Sequence, residues 1–312
     1  MSGTVRHRGA LPVAPPDAVP APRTPAGDAR PSPRTAGSAW LPSAPCTPGG
    51  CVRGSARTAA ARVRAVVRLT ALLLLLAAGI TAVAAAARGP AGARERLVRG
   101  WSLALARTAG VRVRVTGAAP PPGGLLLVAD HVSWLDVPLL AAVRPARMLA
   151  KAEVRAWPVA GALAAWAGTL FLDRDRLRAL PGTVARIADA LRAGRAVTVF
   201  PEGSTWCGRA RGRFRRAVFQ AALDAAVPVQ PVRVRYRLDG RAGPTGVSAV
   251  PAFVGDDTLL ASLWRVASAR GLVAEVRVLP VIPPGAAPDR RTLARLAQDA
   301  VRGDGGTPAV HP

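Results

Sequence analysis

The sequence of 312 residues holds one lysine (Lys151), three histidines, three cysteines and two methionines, and only 4% of it is aromatic. Each scarcity removes a class of explanation. An odd cysteine count with no repeated spacing argues against a disulfide framework. Cys46 and Cys51 lie in a Pro/Gly-rich stretch with no histidine beside them, so a zinc site is not expected there. Few aromatics leave little to stack on bases, which weighs against nucleic acid as a partner despite a net charge of +25. His7 and His311 fall in terminal stretches, and His131 remains as the one imidazole placed for acid–base work in the folded part. Arginine in place of lysine, with abundant Ala, Gly and Pro, reads as the bias of a GC-rich genome, so part of the positive charge says little about function. The first residues lack the compact charged-then-apolar order of a secretory signal, and no internal repeat is visible.

What is present is enough for a sizeable core, since half of the residues are hydrophobic. The charge balance suits an anionic lipid surface or phosphorylated substrates. Residues 1–60 read as a disordered Pro/Ala/Arg-rich tail, because proline removes backbone donors and large apolar residues are few. Leu69 to Ala87 then runs 19 residues without a charge, about 28 Å as a helix. Its continuity at 72–76 predicts a membrane-embedded helix. Arg62, Arg64 and Arg68 precede it and Arg88, Arg94, Arg96 and Arg99 follow, so charge does not orient it. A helix that dips into one leaflet and returns would account for both flanks. Pro90 ends it, and a second helix is expected over 91–108. There Leu97, Trp101 and Leu105 share one face and Arg94, Arg99 and Arg107 keep another basic, as at a membrane surface. Residues 61–110 are thus expected to be a membrane-associated helical segment.

From Val111 strands and helices alternate. Strands are expected at 111–115, 124–129, 147–151, 169–172, 196–200, 229–236 and 274–281. Helices are expected at 134–143, 158–166, 183–191, 214–226, 259–269 and 290–301. Such alternation predicts an α/β domain over 111–302, a largely parallel sheet flanked by helices, with a flexible tail at 303–312.

Two strands end in polar residues. Val128-Ala-Asp-His131-Val-Ser-Trp-Leu-Asp136 delivers a histidine and, five residues later, an aspartate. If a helix starts near Ser133, the carboxylate reaches back to one ring nitrogen and leaves the other free to take a proton. Ser133 is too close in sequence to serve as a triad nucleophile, and Cys207 has no second histidine. The inference is that His131 activates a hydroxyl belonging to a substrate. Phe200-Pro-Glu202-Gly203-Ser204-Thr205 offers a carboxylate suited to a substrate hydroxyl or a basic side chain, and a glycine that lets a backbone N–H approach a ligand. Arg174, after Gly168-Thr-Leu-Phe171, suits a phosphate, or pairs with Asp173 or Asp175. Arg209, Arg211, Arg213, Arg215 and Arg216 form a basic cluster, fit for phosphates, for lipid head groups or simply for solvent.

In order, His-x-x-x-x-Asp, Gly-x-x-Phe-x-x-Arg, Phe-Pro-Glu-Gly and Val-Pro-Val-x-Pro resemble the PlsC-type family of 1-acyl-sn-glycerol-3-phosphate (lysophospholipid) acyltransferases, over about residues 62–302. The resemblance implies a glycerolipid acyltransferase fold preceded by N-terminal membrane helices, at the cytoplasmic face of a bacterial inner membrane. It implies that His131 is the general base and that Asp136 orients it. Arg174, with Glu202, Gly203 and Ser204, would hold the acceptor, while Gly168 and Phe171 shape its pocket. Pro228, Pro231 and Lys151 would play supporting parts. The implied partners are a lyso-lipid acceptor, an acyl-CoA or acyl carrier protein donor and membrane lipids, with no metal and no resident cofactor. The acceptor implied first is lysophosphatidic acid, giving phosphatidic acid. Asp130 departs from the family, which often carries Asn there, and Ser204-Thr205 departs mildly. The stretch 253–260 followed by Trp264 is similar to branches that acylate lyso-ornithine lipid, which makes that lipid the alternative acceptor.

Overall fold

The computed structural model describes residues 44–52, 58–86, 89–156, 160–173, 176–239 and 246–303. The expected tails therefore lie largely outside the described residues. Against the disorder expected of the first 60, residues 58–60 enter a long helix, and residues 44–52 have structure of their own. They form a short turn of helix, α1 (Pro48–Cys51), with Thr47 as its N-cap, and Cys46 is buried in the core.

Two long helices follow, α2 (Ala59–Ala86) and α3 (Ala91–Thr108). Then come β1 (Val111–Gly117), β2 (Leu125–Ala129), α4 (Asp136–Val143), β3 (Arg147–Lys151), α5 (Ala160–Trp166) and β4 (Leu170–Leu172). The chain continues through α6 (Leu180–Arg192), β5 (Ala196–Val199), α7 (Ala217–Asp224), β6 (Val229–Leu238), α8 (Leu259–Ser268), β7 (Leu272–Val278) and α9 (Arg290–Arg302). The seven strands form one sheet in the order β1-β7-β6-β2-β5-β3-β4. Neighbours pair in parallel except β6 with β7, which are antiparallel.

The centre of the sheet shows why the expected strands form. All five residues of β2 are buried, as a continuous apolar run must be when a parallel sheet is covered on both faces. Leu125, Leu127 and Ala129 join one core layer, with Val132, Leu139 and Leu140. Leu126 and Val128 join the opposite layer, with Ile187, Phe219 and Leu293 from α6, α7 and α9. Burying each leucine stabilises the fold by about 1.5–3 kcal/mol. On the second layer Asp289 caps α9 by accepting from Arg291 N at 2.7 Å and Thr292 N at 2.9 Å.

Of the membrane-embedded helix expected over 69–87, residues 69–86 are helical, within α2. Among the described residues no helix is long and apolar enough to cross a membrane. The apolar run is the second half of α2, and the first half is tied to the protein by its arginines. Arg64 Nη2 donates to Ser268 O at 2.7 Å, and Arg68 Nη1 donates to Ala267 O at 2.9 Å and Ala269 O at 2.7 Å, all at the C-terminal end of α8. Cations are favoured where a helix leaves its carbonyls unpaired. Ala61, Ala65 and Leu72 form the buried side of α2. Trp101 of α3 donates its indole N–H to Leu75 O at 3.0 Å. That approach depends on Gly79, where a Cβ would come within 2.0 Å of the Trp101 ring. The expected face of α3 is thus turned at least in part toward α2.

Candidate active site

Parallel pairing of β2 with β5, Leu125↔Ala196 through Val128↔Val199, brings the C-terminal ends of both strands to one edge of the sheet. That edge is where open α/β sheets place their sites. His131 follows β2 and Glu202 follows β5, so two loops far apart in sequence meet there.

His131 Nδ1 lies 2.9 Å from Asp136 Oδ2. The same oxygen accepts from Val132 N at 2.7 Å and Ser133 N at 2.8 Å. Tyr236, at the far end of β6, donates its hydroxyl to Asp136 Oδ1 at 2.6 Å. Asp136 is fully buried and begins α4, so the carboxylate meets four donors away from bulk solvent. A group surrounded in this way acts as an acceptor only, which assigns the proton to Nδ1 and leaves Nε2 as the basic nitrogen of the ring. The imidazole side chain retains 22% exposure. It stacks on Phe200, with ring centroids 3.9 Å apart and planes within 9°.

The backbone of His131 is held as firmly as its ring. Its N–H donates to Glu202 Oε2 at 3.1 Å, and its carbonyl accepts from Trp206 N at 2.8 Å. Glu202 Oε1 accepts from Gly212 N at 2.7 Å. Glu202 is only 3% exposed. Its carboxylate faces inward and joins the loops to each other, where the sequence had suggested a substrate hydroxyl or a basic side chain. Burial, and next the charge of Asp130, push Glu202 up to about 8, against the two amides that favour its charged form. Asp130 is buried as well and is pushed up to about 6 by burial, with Arg211 as the main opposing influence. Arg211 Nε stands 3.6 Å from Asp130 Oδ2.

The other expected residues are dispersed over the sheet, and Gly168 and Pro228 precede parallel strands, at the edge opposite His131. Gly203 has φ +73, and both it and Ser204 lie in the turn after β5. Lys151 ends β3, in register with Leu172, and Phe171 lies in β4 opposite Ala150. Arg155 places its guanidinium 5.7 Å from the Phe171 ring centroid. Gly168 precedes β4 with φ +73 and faces Arg147. Strand β4 is three places from β2, about 14 Å at the usual strand spacing. Arg174 lies outside the described residues. Pro228 and Pro231 belong to the sheet: Pro228 O accepts from Leu126 N at 3.2 Å, and Pro231 faces Val128 one residue before β6 begins its pairing with β7. Of the basic cluster, Arg211 pairs with Asp130 and Arg209 donates to Cys51 O. Sequence reasoning missed Tyr236. It is the only tyrosine in the chain, and that singularity was the available signal.

Sheet and loops together have the layout of an acyltransferase, and the Acyltransferase family model matches residues 111–235. The lyso-ornithine lipid O-acyltransferase of Pseudomonas aeruginosa is 43% identical over 213 residues, covering 67% of this chain and 78% of that protein. The 1-acyl-sn-glycerol-3-phosphate acyltransferase of Neisseria gonorrhoeae is 33% identical, covering 58% and 69%. Among solved structures, the 1-acyl-sn-glycerophosphate (LPA) acyltransferase PlsC of Thermotoga maritima shares the fold at a TM-score of 0.50 and 19% identity, covering 75% of this chain and 94% of that one. This chain belongs to the PlsC-type family of lysophospholipid acyltransferases.

Proposed function

We propose that the protein transfers a fatty acyl chain from an acyl thioester to the free hydroxyl of a lyso-lipid, with His131 as general base. The observation that carries this reading is the Asp136–His131 hydrogen bond of 2.9 Å within a carboxylate otherwise saturated by donors. Nε2 takes the proton of the acceptor hydroxyl as its oxygen attacks the thioester carbonyl. The C–S bond breaks as the ester forms, and the proton passes from His131 to the departing thiolate of coenzyme A or of a carrier-protein prosthetic group. No protein nucleophile is acylated, and the step as written needs no metal or resident cofactor. Asp136 fixes the tautomer and offsets the imidazolium charge. The turn of Gly203 and Ser204, the stretch from Gly168 to Phe171 and Arg174 are the proposed acceptor side, with Lys151 beside it.

Lyso-ornithine lipid is the acceptor we favour, because the relative of that name from Pseudomonas aeruginosa shares 43% identity over 213 residues. A second reading, lysophosphatidic acid acylated to phosphatidic acid, is favoured by the Neisseria relative at 33%. Either reaction sets the protein at a bacterial membrane, with the catalytic domain on the cytoplasmic face. Support for a membrane surface comes from α2, where Val63, Val66, Val67, Leu73 and Leu74 are each more than half exposed, and from Leu260 and Trp264 on α8. Such residues can enter a lipid interface without a helix crossing it. The test is acyl transfer from labelled oleoyl-CoA to each lyso-lipid in parallel, with acyl carrier protein as a second donor. Faster turnover of lyso-ornithine lipid is expected. Turnover of lysophosphatidic acid alone would select the second reading, and transfer to neither from either donor would refute both.

A further inference from the structure

The chain's only three cysteines meet in space. Cys46 precedes α1, Cys51 closes it and Cys207 lies in the loop after β5, yet their sulfur atoms all lie within 4.8 Å of one another. All three are free thiols. Cys46 and Cys207 are 4% and 3% exposed, and Cys51 is half-buried. Spacing alone had argued against a metal at Cys46 and Cys51. The third sulfur, supplied by the catalytic side of the sheet, changes that argument.

Cys46 and Cys207 both lie in the apolar layer that holds Val132 and Leu135, so two of the three sulfurs are shielded from bulk solvent while Cys51 stands at the open side. Gly208, with φ +81, lets the chain turn directly after Cys207. A single buried cysteine packs as a small hydrophobe, but three whose sulfurs converge within 4.8 Å also form a ligand set.

We propose that Cys46, Cys51 and Cys207 bind one soft divalent cation, zinc by its affinity for sulfur, in a trithiolate site. Tetrahedral zinc with bonds of about 2.3 Å places its sulfurs about 3.8 Å apart, so the triangle closes with small side-chain movements. The fourth position falls on the open side, at Cys51, and takes a solvent molecule. The three protons leave as the thiolates bind, and no redox step is involved. The site straps residues 46–51 onto the loop that holds His131, because Trp206, adjacent to Cys207, donates its N–H to His131 O at 2.8 Å. Arg209 adds a second strap, to Cys51 O. The cysteines are positioning residues and touch neither acceptor nor donor.

The experiment uses the full chain, purified in detergent with no chelator and no added metal. Elemental analysis should find about one zinc per chain, retained through gel filtration and lost from Cys51→Ser and from Cys207→Ser. Cobalt added to the metal-stripped wild type should produce a thiolate-to-cobalt charge-transfer band, and a chelator should lower its Tm. The cobalt result stands even if a serine variant folds poorly. Wild type with neither zinc nor a cobalt band would overturn the proposal, whether its thiols titrate free or two of them are recovered as a disulfide. Zinc bound equally by wild type and both variants would also overturn it. None of these readouts depends on which lipid is acylated.

Discussion

Asp136 and Asp130 flank the same loop and are almost equally hidden from solvent, at 0% and 3% exposure, but the protein treats them in opposite ways. Asp136 collects hydrogen bonds from His131, Tyr236 and two backbone amides. Asp130 has the more distant guanidinium of Arg211, and its Oδ1 has no hydrogen-bond partner among the described residues. Its carboxyl is pushed up to about 6, and that of neighbouring Glu202 up to about 8. Burial alone therefore does not decide what a carboxylate does near this imidazole. Donors and neighbouring charges act together with it: Glu202 accepts from two amides and is still pushed up, by burial and the charge of Asp130. Asp136 is held by four donors against the imidazole. Glu202, at about 8, keeps its proton at neutral pH, whereas Asp130, at about 6, releases it just below neutrality.

The strongest way to break this contrast is to remove the dyad. His131→Ala and Asp136→Asn should each cost roughly 100- to 10,000-fold in kcat, the first by removing the base and the second by favouring the wrong tautomer. Circular dichroism should show the His131→Ala protein folded. Retention of near-normal turnover in either variant would refute the assigned roles. A smaller effect belongs to Tyr236→Phe, which takes one donor from Asp136 and nothing else. Urea denaturation should register a loss of about 1–3 kcal/mol, with a modest fall in kcat and an unchanged KM for the acceptor.

The third prediction sharpens the other half. A carboxyl whose folded pKa is raised keeps its proton in the folded state while the unfolded chain has released it. Stability therefore falls as pH rises from the ordinary values of 3.8 for Asp130 and 4.5 for Glu202 to their folded values of about 6 and about 8. Asp130→Asn removes one of these titrations. The Tm of wild type relative to that variant should decline as pH rises through the Asp130 window and level off above it. A difference in Tm that does not vary with pH would show that Asp130 is charged throughout.

Much of the fold was legible because the local signals agreed with one another. The all-apolar β2, the Gly194 stop after α6 and the Pro90 break before α3 each coincide with an observed boundary or lie within a residue or two of it. The spacing of His131 and Asp136 was legible for the same reason, since both lie in one turn of chain. What was hidden depended on distant partners. Tyr236 reaches Asp136 across a separation of 100 residues. Glu202 looked like a ligand for substrate because sequence cannot show that two backbone amides already occupy it. The cysteines looked unrelated because Cys207 is delivered by a different strand. Arg64 and Arg68 of α2 gave no sign of their partners either, which are carbonyls at the end of α8.

Strand β2 enters the sheet between β5 and β6, both of which come later in the chain. When residues 125–136 leave the ribosome, the strands that will flank them have not been made. The N–H that secures the His131 carbonyl belongs to Trp206, and the hydroxyl that completes Asp136 belongs to Tyr236. Closing such long loops is slow and is rewarded only when the remote contacts form. Two residues five apart in sequence thus acquire their full set of partners late in synthesis. A nascent or truncated chain that ends before β6 carries the histidine without its fully assembled support.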